Sequence, residues 1–300
     1  MNYGFSYKGS KNKLAEKIVN LFPPAENFYD LFCGGCAITH RALLVDNWKN
    51  YFANDVDARC TTLFLDAING KYKNENRWIS REDFYKLRDS DGYIAFLWSF
   101  GNNGRDYLYA KDLEPYKKAW HYALFFDEYS DAKKFLNINI EEIKKEKHFY
   151  NKYLLSKKYV KQNPRLQSLQ SLESLQRLQR LQRLQKPKTF CKSYNDIDIQ
   201  NNSIVYCDIP YLNTNSYGNK NKNNFDYKEF YDWCKNQKEL IFISSYEMPE
   251  DFIQIAEFNH RSILCATQNK AVAEKVFIPK HQVMLYQEKI QEENQKWMHC

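Results

Sequence analysis

The segment Val205-Tyr206-Cys207-Asp208-Ile209-Pro210-Tyr211 carries an apolar run into an acid, a proline and an aromatic. That set suits chemistry on the exocyclic amine of a nucleobase. The adenine N6 lone pair is delocalised into the ring, which makes it a poor nucleophile. A carboxylate at Asp208 and a backbone carbonyl, of Ile209 or Pro210, that both accept its N–H bonds would turn the lone pair toward a methyl donor. Tyr211 would hold the base by stacking. In isolation, Asp-x-Pro-Tyr also describes an ordinary strand-end turn.

A second group lies near the N-terminus. Asp30-Leu31-Phe32-Cys33-Gly34-Gly35-Cys36 is a glycine turn after a strand candidate, and Asp55 follows Gly34 by 21 residues at the end of the next strand candidate. At that spacing a carboxylate accepts hydrogen bonds from the ribose of an adenosine-containing cofactor. No G-x-G-x-x-G occurs, which disfavours a dinucleotide whose pyrophosphate must be seated. Either feature alone reads as a tight turn or a helix cap.

These loops need a scaffold that delivers strand ends to one place. The spacing predicts a helix over Lys11 to Phe22 stopped by Pro23-Pro24, a strand over Asn27 to Phe32 and a helix over Ala37 to Leu44. Next come a strand over Tyr51 to Asn54 and a helix over Ala58 to Ile68 closed by Asn69-Gly70. After Pro187 the alternation returns, with strands over Ser203 to Cys207 and Leu240 to Ser244 around a helix over Tyr227 to Cys234. Further strand candidates are Ser262 to Leu264, Val276 to Ile278 and Val283 to Tyr286. Alternating strands and helices indicate a parallel α/β sheet.

From Lys71 to about Gln185 that rhythm is absent, which marks an inserted region. It divides the chain into 1–70, 71–186 and 187–300. Inside the insertion, residues 165–185 form a low-complexity tract with leucine at 166, 169, 172, 175, 178, 181 and 184. A three-residue period matches neither 3.5 nor 3.6, so no coiled-coil seam is predicted; the tract reads as a solvated insertion ahead of a DNA-contacting one. Lys117, Lys118, Lys133 and Lys134 read as a solvated face. The polar loop Ser99 to Tyr107, with Asn102, Asn103 and Arg105, reads equally as a surface turn or a base-reading element.

Taken in order, Tyr7-Lys8-Gly9-Ser10-Lys11, Asp30 to Gly35, Asn54-Asp55 and Asp208 to Tyr211 resemble the Dam-type (D12 class) DNA adenine-N6 methyltransferases. So do Asn213-Thr214, Phe225-Asp226-Tyr227, Tyr231 to Cys234 and Ile243 to Pro249. The likeness runs from residue 3 to about 280, apart from the leucine tract. It implies a Rossmann-like S-adenosylmethionine-dependent methyltransferase sheet with an inserted, mainly helical target-recognition domain. S-adenosyl-L-methionine is then the cofactor and double-stranded DNA the substrate. By the same resemblance Tyr7 and Lys11 contact the methionine end of the cofactor, and Phe32, Gly34 and Asp55 form the cofactor loop and ribose acid. Tyr194 lies beside the cofactor adenine, and Asp208, Pro210 and Tyr211 are catalytic, with Asp208 also near the cofactor. The chain departs from the family at Ile209, usually proline, at Cys36, usually glycine, and at Ser193, usually an acid.

Composition agrees without deciding. In 300 residues, 43% are apolar and 16% aromatic, and 44 Lys and Arg against 37 Asp and Glu give a net charge of +7, which suits a polyanionic partner. No apolar run approaches a membrane span and the N-terminus lacks a signal-peptide core, so a cytoplasmic protein, monomeric or a weak dimer, is expected. The eight cysteines are too irregular for a disulfide framework, and Cys33 with Cys36 lacks the further ligands of a zinc site. Other readings are cytosine-N4 methylation on the same fold, a DNA-binding module that has lost catalysis, and a redox pair at Cys33 and Cys36. A cognate restriction endonuclease is a candidate partner.

Overall fold

The computed structural model describes residues 2–136, 139–160, 166, 168–182, 184–211, 225–261 and 271–298. The chain forms two compact units, one of residues 1–4, 9–65 and 184–300, the other of residues 5–8 and 66–183.

The first unit is built on seven strands: β1 Asn27–Asp30, β2 Asn50–Asn54, β3 Lys188–Phe190, β4 Ser203–Asp208, β5 Leu240–Ser245, β6 Phe252–Arg261 and β7 Ala271–Pro279. Their order is β3-β2-β1-β4-β5-β7-β6. The first five are parallel, and β7 pairs antiparallel with both β5 and β6. Strand order reverses between β1 and β4. In such sheets the crevice beyond the carboxyl ends at the reversal is where ligands bind.

Helices α1 Ala15–Val19, α2 Ala37–Val45, α3 Ala58–Ile68, α10 Tyr227–Asn236 and α11 Val283–Met298 accompany the strands. The central strands are buried, as expected when helices cover a parallel sheet. One core layer gathers Tyr29, Val205, Cys207, Ile209, Phe230, Ile241 and Phe277. In another, Phe22 meets Phe28 at 5.7 Å and Phe242 at 4.7 Å between ring centroids.

Two expectations change here, and two strands appear that the sequence does not predict. The predicted helix over Lys11 to Phe22 shrinks to α1, because a turn from Lys11 to Leu14 precedes it and Phe22 leaves the helix to pack on the sheet aromatics. Val283 to Tyr286 opens α11 rather than a strand; four apolar-rich residues fit either, and the run of Gln, Glu and Lys that follows decides for helix. β3 and β6 had not been predicted. Ser262 to Leu264 lies outside the described residues.

The second unit contains α4 Arg81–Leu87, a π-helical turn Tyr93–Leu97, α5 Glu114–Phe125, α6 Ser130–Phe135, α7 Ile140–Lys144, α8 Phe149–Val160 and α9 Gln170–Gln179. Its core holds Trp98, Trp120, Tyr93, Tyr153 and Phe84, with Trp120 Nε1 donating to Ser156 Oγ at 2.7 Å.

The leucine tract belongs to that core, which overturns the solvated reading. Leu166, Leu169, Leu172, Leu175, Leu178 and Leu181 are all buried. A three-residue step drifts only about 60° around a helix with 3.6 residues per turn. Over a long helix that drift would spiral, but within α9 it keeps Leu172, Leu175 and Leu178 inside an arc of about 120°, the width of one buried face. Arg165 and Arg183 lie outside the described residues. Lys117 is likewise buried, its ammonium bonded to the Ser168 carbonyl and its pKa pushed down to about 8 by burial, whereas Lys118, Lys133 and Lys134 are exposed.

Replacing Leu175 with Ala should therefore cost about 2–5 kcal/mol, whereas Arg180→Ala, at an exposed position of the same tract, should stay within about 0.5 kcal/mol. Equal, negligible shifts of both variants in chemical denaturation would restore the solvated reading.

Candidate active site

The carboxyl ends of β1, β2 and β4 bring together the acids that the sequence pointed to. Asp30 closes β1, Asp55 follows β2 and Asp208 closes β4. Each is held differently.

Asp55 accepts the Gly34 backbone N–H at 2.8 Å and that of Asp57 at 2.9 Å. The acid thus fixes the glycine loop. Burial pushes its pKa up to about 6, against the pull of those two N–H groups. Asn54 ties the neighbouring strand ends, its amide donating to the carbonyls of Leu31 and Lys192, each at 3.0 Å.

Within the glycine loop, Gly34 has φ +45° and Cys36 has φ +53°, while Gly35 is absent from the positive-φ positions. Cys36 itself therefore adopts the left-handed conformation that a glycine would take without strain, and Gly35 does not take over. The loop is also approached closely by Gly4, where a Cβ would lie 2.1 Å from the Gly35 carbonyl oxygen. Gly4 N–H donates to His40 Nδ1 at 2.9 Å, and burial drives that imidazole's pKa down to about 4. Cys33 and Cys36 are buried free thiols with their pKa values raised by burial, the opposite of a reactive redox pair.

Asp30 is buried, and one of its oxygens accepts from both the backbone N–H and the hydroxyl of Thr39, at 3.1 and 2.6 Å. The other has no hydrogen-bond partner among the described residues. Burial raises its pKa to about 7, aided by repulsion from Asp208 and opposed by the Thr39 bonds.

Around Asp208 the groups interlock. The Lys11 ammonium lies 2.7 and 2.8 Å from its two oxygens, 3.9 Å from Glu274 Oε2 and 4.9 Å over the Tyr211 ring. The Tyr211 hydroxyl donates to Glu274 Oε1 at 2.7 Å, with Asp208 Oδ1 at 3.3 Å, and its ring stands 4.3 Å from that of Tyr246. Pro210 is exposed, and its carbonyl accepts the Tyr227 hydroxyl at 2.8 Å. Ile209 is buried in the apolar core, so a branched side chain is accommodated at the position where the resemblance leads one to expect proline.

Beside this cluster Phe32 and Tyr194 lie 5.6 Å apart in a group of rings that includes Phe225, Phe230 and Trp233. The buried Tyr194 hydroxyl has no partner among the described residues. Tyr7 belongs to the second unit, edge-on to Phe96 at 5.1 Å. Sequence reasoning missed Glu274 and gave no role to Tyr246 within the Ile243 to Pro249 segment, since neither lies in a glycine turn or strand-end acid pattern. Asn213-Thr214 lies outside the described residues. No group of three or more candidate metal ligands occurs among those described.

The raised pKa of Asp30 gives a signed expectation. Below pH 4 it is protonated whether folded or unfolded; as pH rises toward 7 the unfolded chain ionises first and folded stability falls, by at most about 4 kcal/mol. Asn cannot titrate, so the melting temperature of Asp30→Asn relative to the parent should climb between pH 5 and pH 8. A difference that stays constant over this range would show that Asp30 does not titrate there.

A family model described as D12 class N6 adenine-specific DNA methyltransferase matches residues 7–240, a span that includes the glycine loop, Asp55 and the whole Asp208 to Tyr211 segment. No curated protein matches the chain. With well over half of its length matched and the motif loops gathered at one sheet edge, the chain belongs to the D12 class of N6 adenine-specific DNA methyltransferases.

Proposed function

We propose that this enzyme takes its methyl group from S-adenosyl-L-methionine held at the ends of β1, β2 and β4, and presents adenine N6 to it from Asp208. The observation that carries the reading is the convergence of Asp30, Asp55 and Asp208 on the switch point of the sheet. A cluster of carboxylates at the strand ends suits a ligand bearing a sulfonium and an ammonium. The residues also fit its other parts. Asp55 retains acceptor capacity for a ribose, Phe32 and Tyr194 offer an aromatic wall for an adenine, and the unpartnered oxygen of Asp30 and hydroxyl of Tyr194 are polar atoms that a ligand can satisfy.

When bound, the cofactor supplies an electrophilic methyl group. Asp208 accepts one N6–H bond of the adenine. We assign the second acceptor to the Ile209 carbonyl, because that of Pro210 already receives the Tyr227 hydroxyl. Tyr211 stacks on the base, seated by Tyr246 and by its hydroxyl bond to Glu274. Ile209 and Cys36 are both absorbed by the local structure, which favours a working enzyme over an inactive binding module.

We assign target recognition in duplex DNA to the second unit. It holds 24 of the 44 Lys and Arg and 16 of the 37 Asp and Glu, a net +8, whereas the first unit is net −1. A polyanion is attracted by such an excess. Asn102 and Asn103 hold the Ser99 to Tyr107 loop together through the Phe96 carbonyl and the N–H of Arg105, at 2.7 and 2.8 Å, so they are spent on its shape. Phe100, 68% exposed, remains at its surface beside a cavity of about 470 Å³ that Arg81, Tyr85 and Lys117 also line. An exposed ring is suited to filling the gap left by a flipped base.

Transfer of labelled methyl from S-adenosyl-L-methionine to unmethylated duplex DNA should yield N6-methyladenine on nucleoside analysis. N4-methylcytosine would move the target base, and no incorporation despite DNA and cofactor binding would favour the inactive module. Asp208→Ala should lower turnover by about 10²–10³-fold or more. Asp55→Ala should chiefly weaken cofactor binding, by roughly 10–100-fold. Normal turnover in Asp208→Ala would sink the assignment.

A further inference from the structure

Glu274 lies on β7, beyond the residues matched to the family, and is almost completely buried. A buried carboxylate is costly unless charge and hydrogen bonds compensate it. Here the compensating groups are two members of the catalytic cluster. Its Oε1 accepts the Tyr211 hydroxyl at 2.7 Å, and its Oε2 stands 3.9 Å from the Lys11 ammonium. Burial raises its pKa, and Lys11 opposes that rise only in part.

The Lys11 position poses a chemical problem for the reaction proposed above. Its ammonium spans both oxygens of Asp208, the group that must accept from adenine N6. The amine also gains positive charge as the methyl group arrives, so a cation fixed on the same carboxylate opposes the step. Lys11 therefore has to loosen its hold on Asp208 when the base enters. Inside a buried cluster an ammonium that loosens one counter-ion is favoured by another carboxylate within reach. Glu274 is a second carboxylate already beside it.

We propose that Glu274 is a positioning residue for methyl transfer: it seats the Tyr211 ring through the hydroxyl and receives the Lys11 ammonium, so that Asp208 is released to accept from the target amine. It touches neither base nor methyl donor in this role. It acts through Lys11 and Tyr211. The proposal rests on the assignment of Asp208 as the N6 acceptor.

The test is single-turnover methylation of duplex DNA by the full chain, with wild type and Glu274→Gln compared in parent and Lys11→Met backgrounds. The Gln amide oxygen still accepts from Tyr211 but carries no charge. In the parent background the transfer rate should drop about 10–100-fold, with melting temperature nearly unchanged and affinities for DNA and S-adenosyl-L-methionine within about threefold. With Lys11 already removed, the same substitution should have little further effect, because the charge it deletes no longer has an ammonium to receive. Glu274→Asp keeps the charge and should recover part of the rate. A Gln variant within twofold of wild type, equal losses in both backgrounds, or a folded Asp variant as slow as Gln would each overturn the proposal. Wild-type enzyme that forms no N6-methyladenine would instead overturn the function reading, and this proposal with it.

Discussion

Three acids at the ends of three adjacent strands are the constraint from which the first unit is organised. Neighbouring strands in a sheet stand about 4.8 Å apart, so Asp30, Asp55 and Asp208 are held within reach of one another's fields, and burial makes the repulsion larger. Burial raises the pKa values of Asp30 and Asp55, and repulsion from Asp208 adds to that rise. The surrounding structure offsets it by three means: backbone N–H groups for Asp55, a helix threonine for Asp30 and an ammonium for Asp208. Each of these fixes a piece of the site. The N–H bonds set the glycine loop, Thr39 ties β1 to α2, and Lys11 joins the N-terminal segment to the loop that begins at Asp208.

Much of this was legible as pattern. Strands buried on both faces read as short apolar runs between glycine, proline and acid, and β1, β2, β4 and β5 were found that way. α3 and α10 were clear from their periodicity. Weak local signals were missed or misread. β3 has three residues, β6 is an edge strand with much of its surface exposed, and Val283 to Tyr286 is too short a window to tell strand from helix. The leucine tract failed for another reason. A period of three spirals around an indefinitely long helix, yet α9 lasts only about three turns. Over that length a period of three leaves the leucines on one face.

The site was legible where it depends on residues adjacent in sequence and obscure where it depends on residues brought together by the sheet. Asp208, Pro210 and Tyr211 share one loop, and Gly34 with Asp55 follows from strand-turn spacing. The Lys11 ammonium on Asp208 joins residues 197 apart, and Glu274 reaches Tyr211 from an antiparallel strand across 63 residues. No local motif announces either pair. Cys36 shows a further limit. Its backbone adopts a glycine-like φ while its side chain sits in a fully buried position, so the residue type alone does not reveal the conformation that the loop requires.

The division of charge between the two units agrees with the function proposed for them. A cluster of carboxylates repels phosphates, whereas duplex DNA calls for an excess of lysine and arginine. One continuous surface cannot satisfy both demands within a Debye length. The chain separates them, with a slightly acidic sheet unit and a second unit whose net +8 exceeds the +7 of the whole protein. Under the proposed reading, that excess of lysine and arginine in the second unit would attract a polyanion that a sheet unit rich in carboxylates is poorly suited to attract.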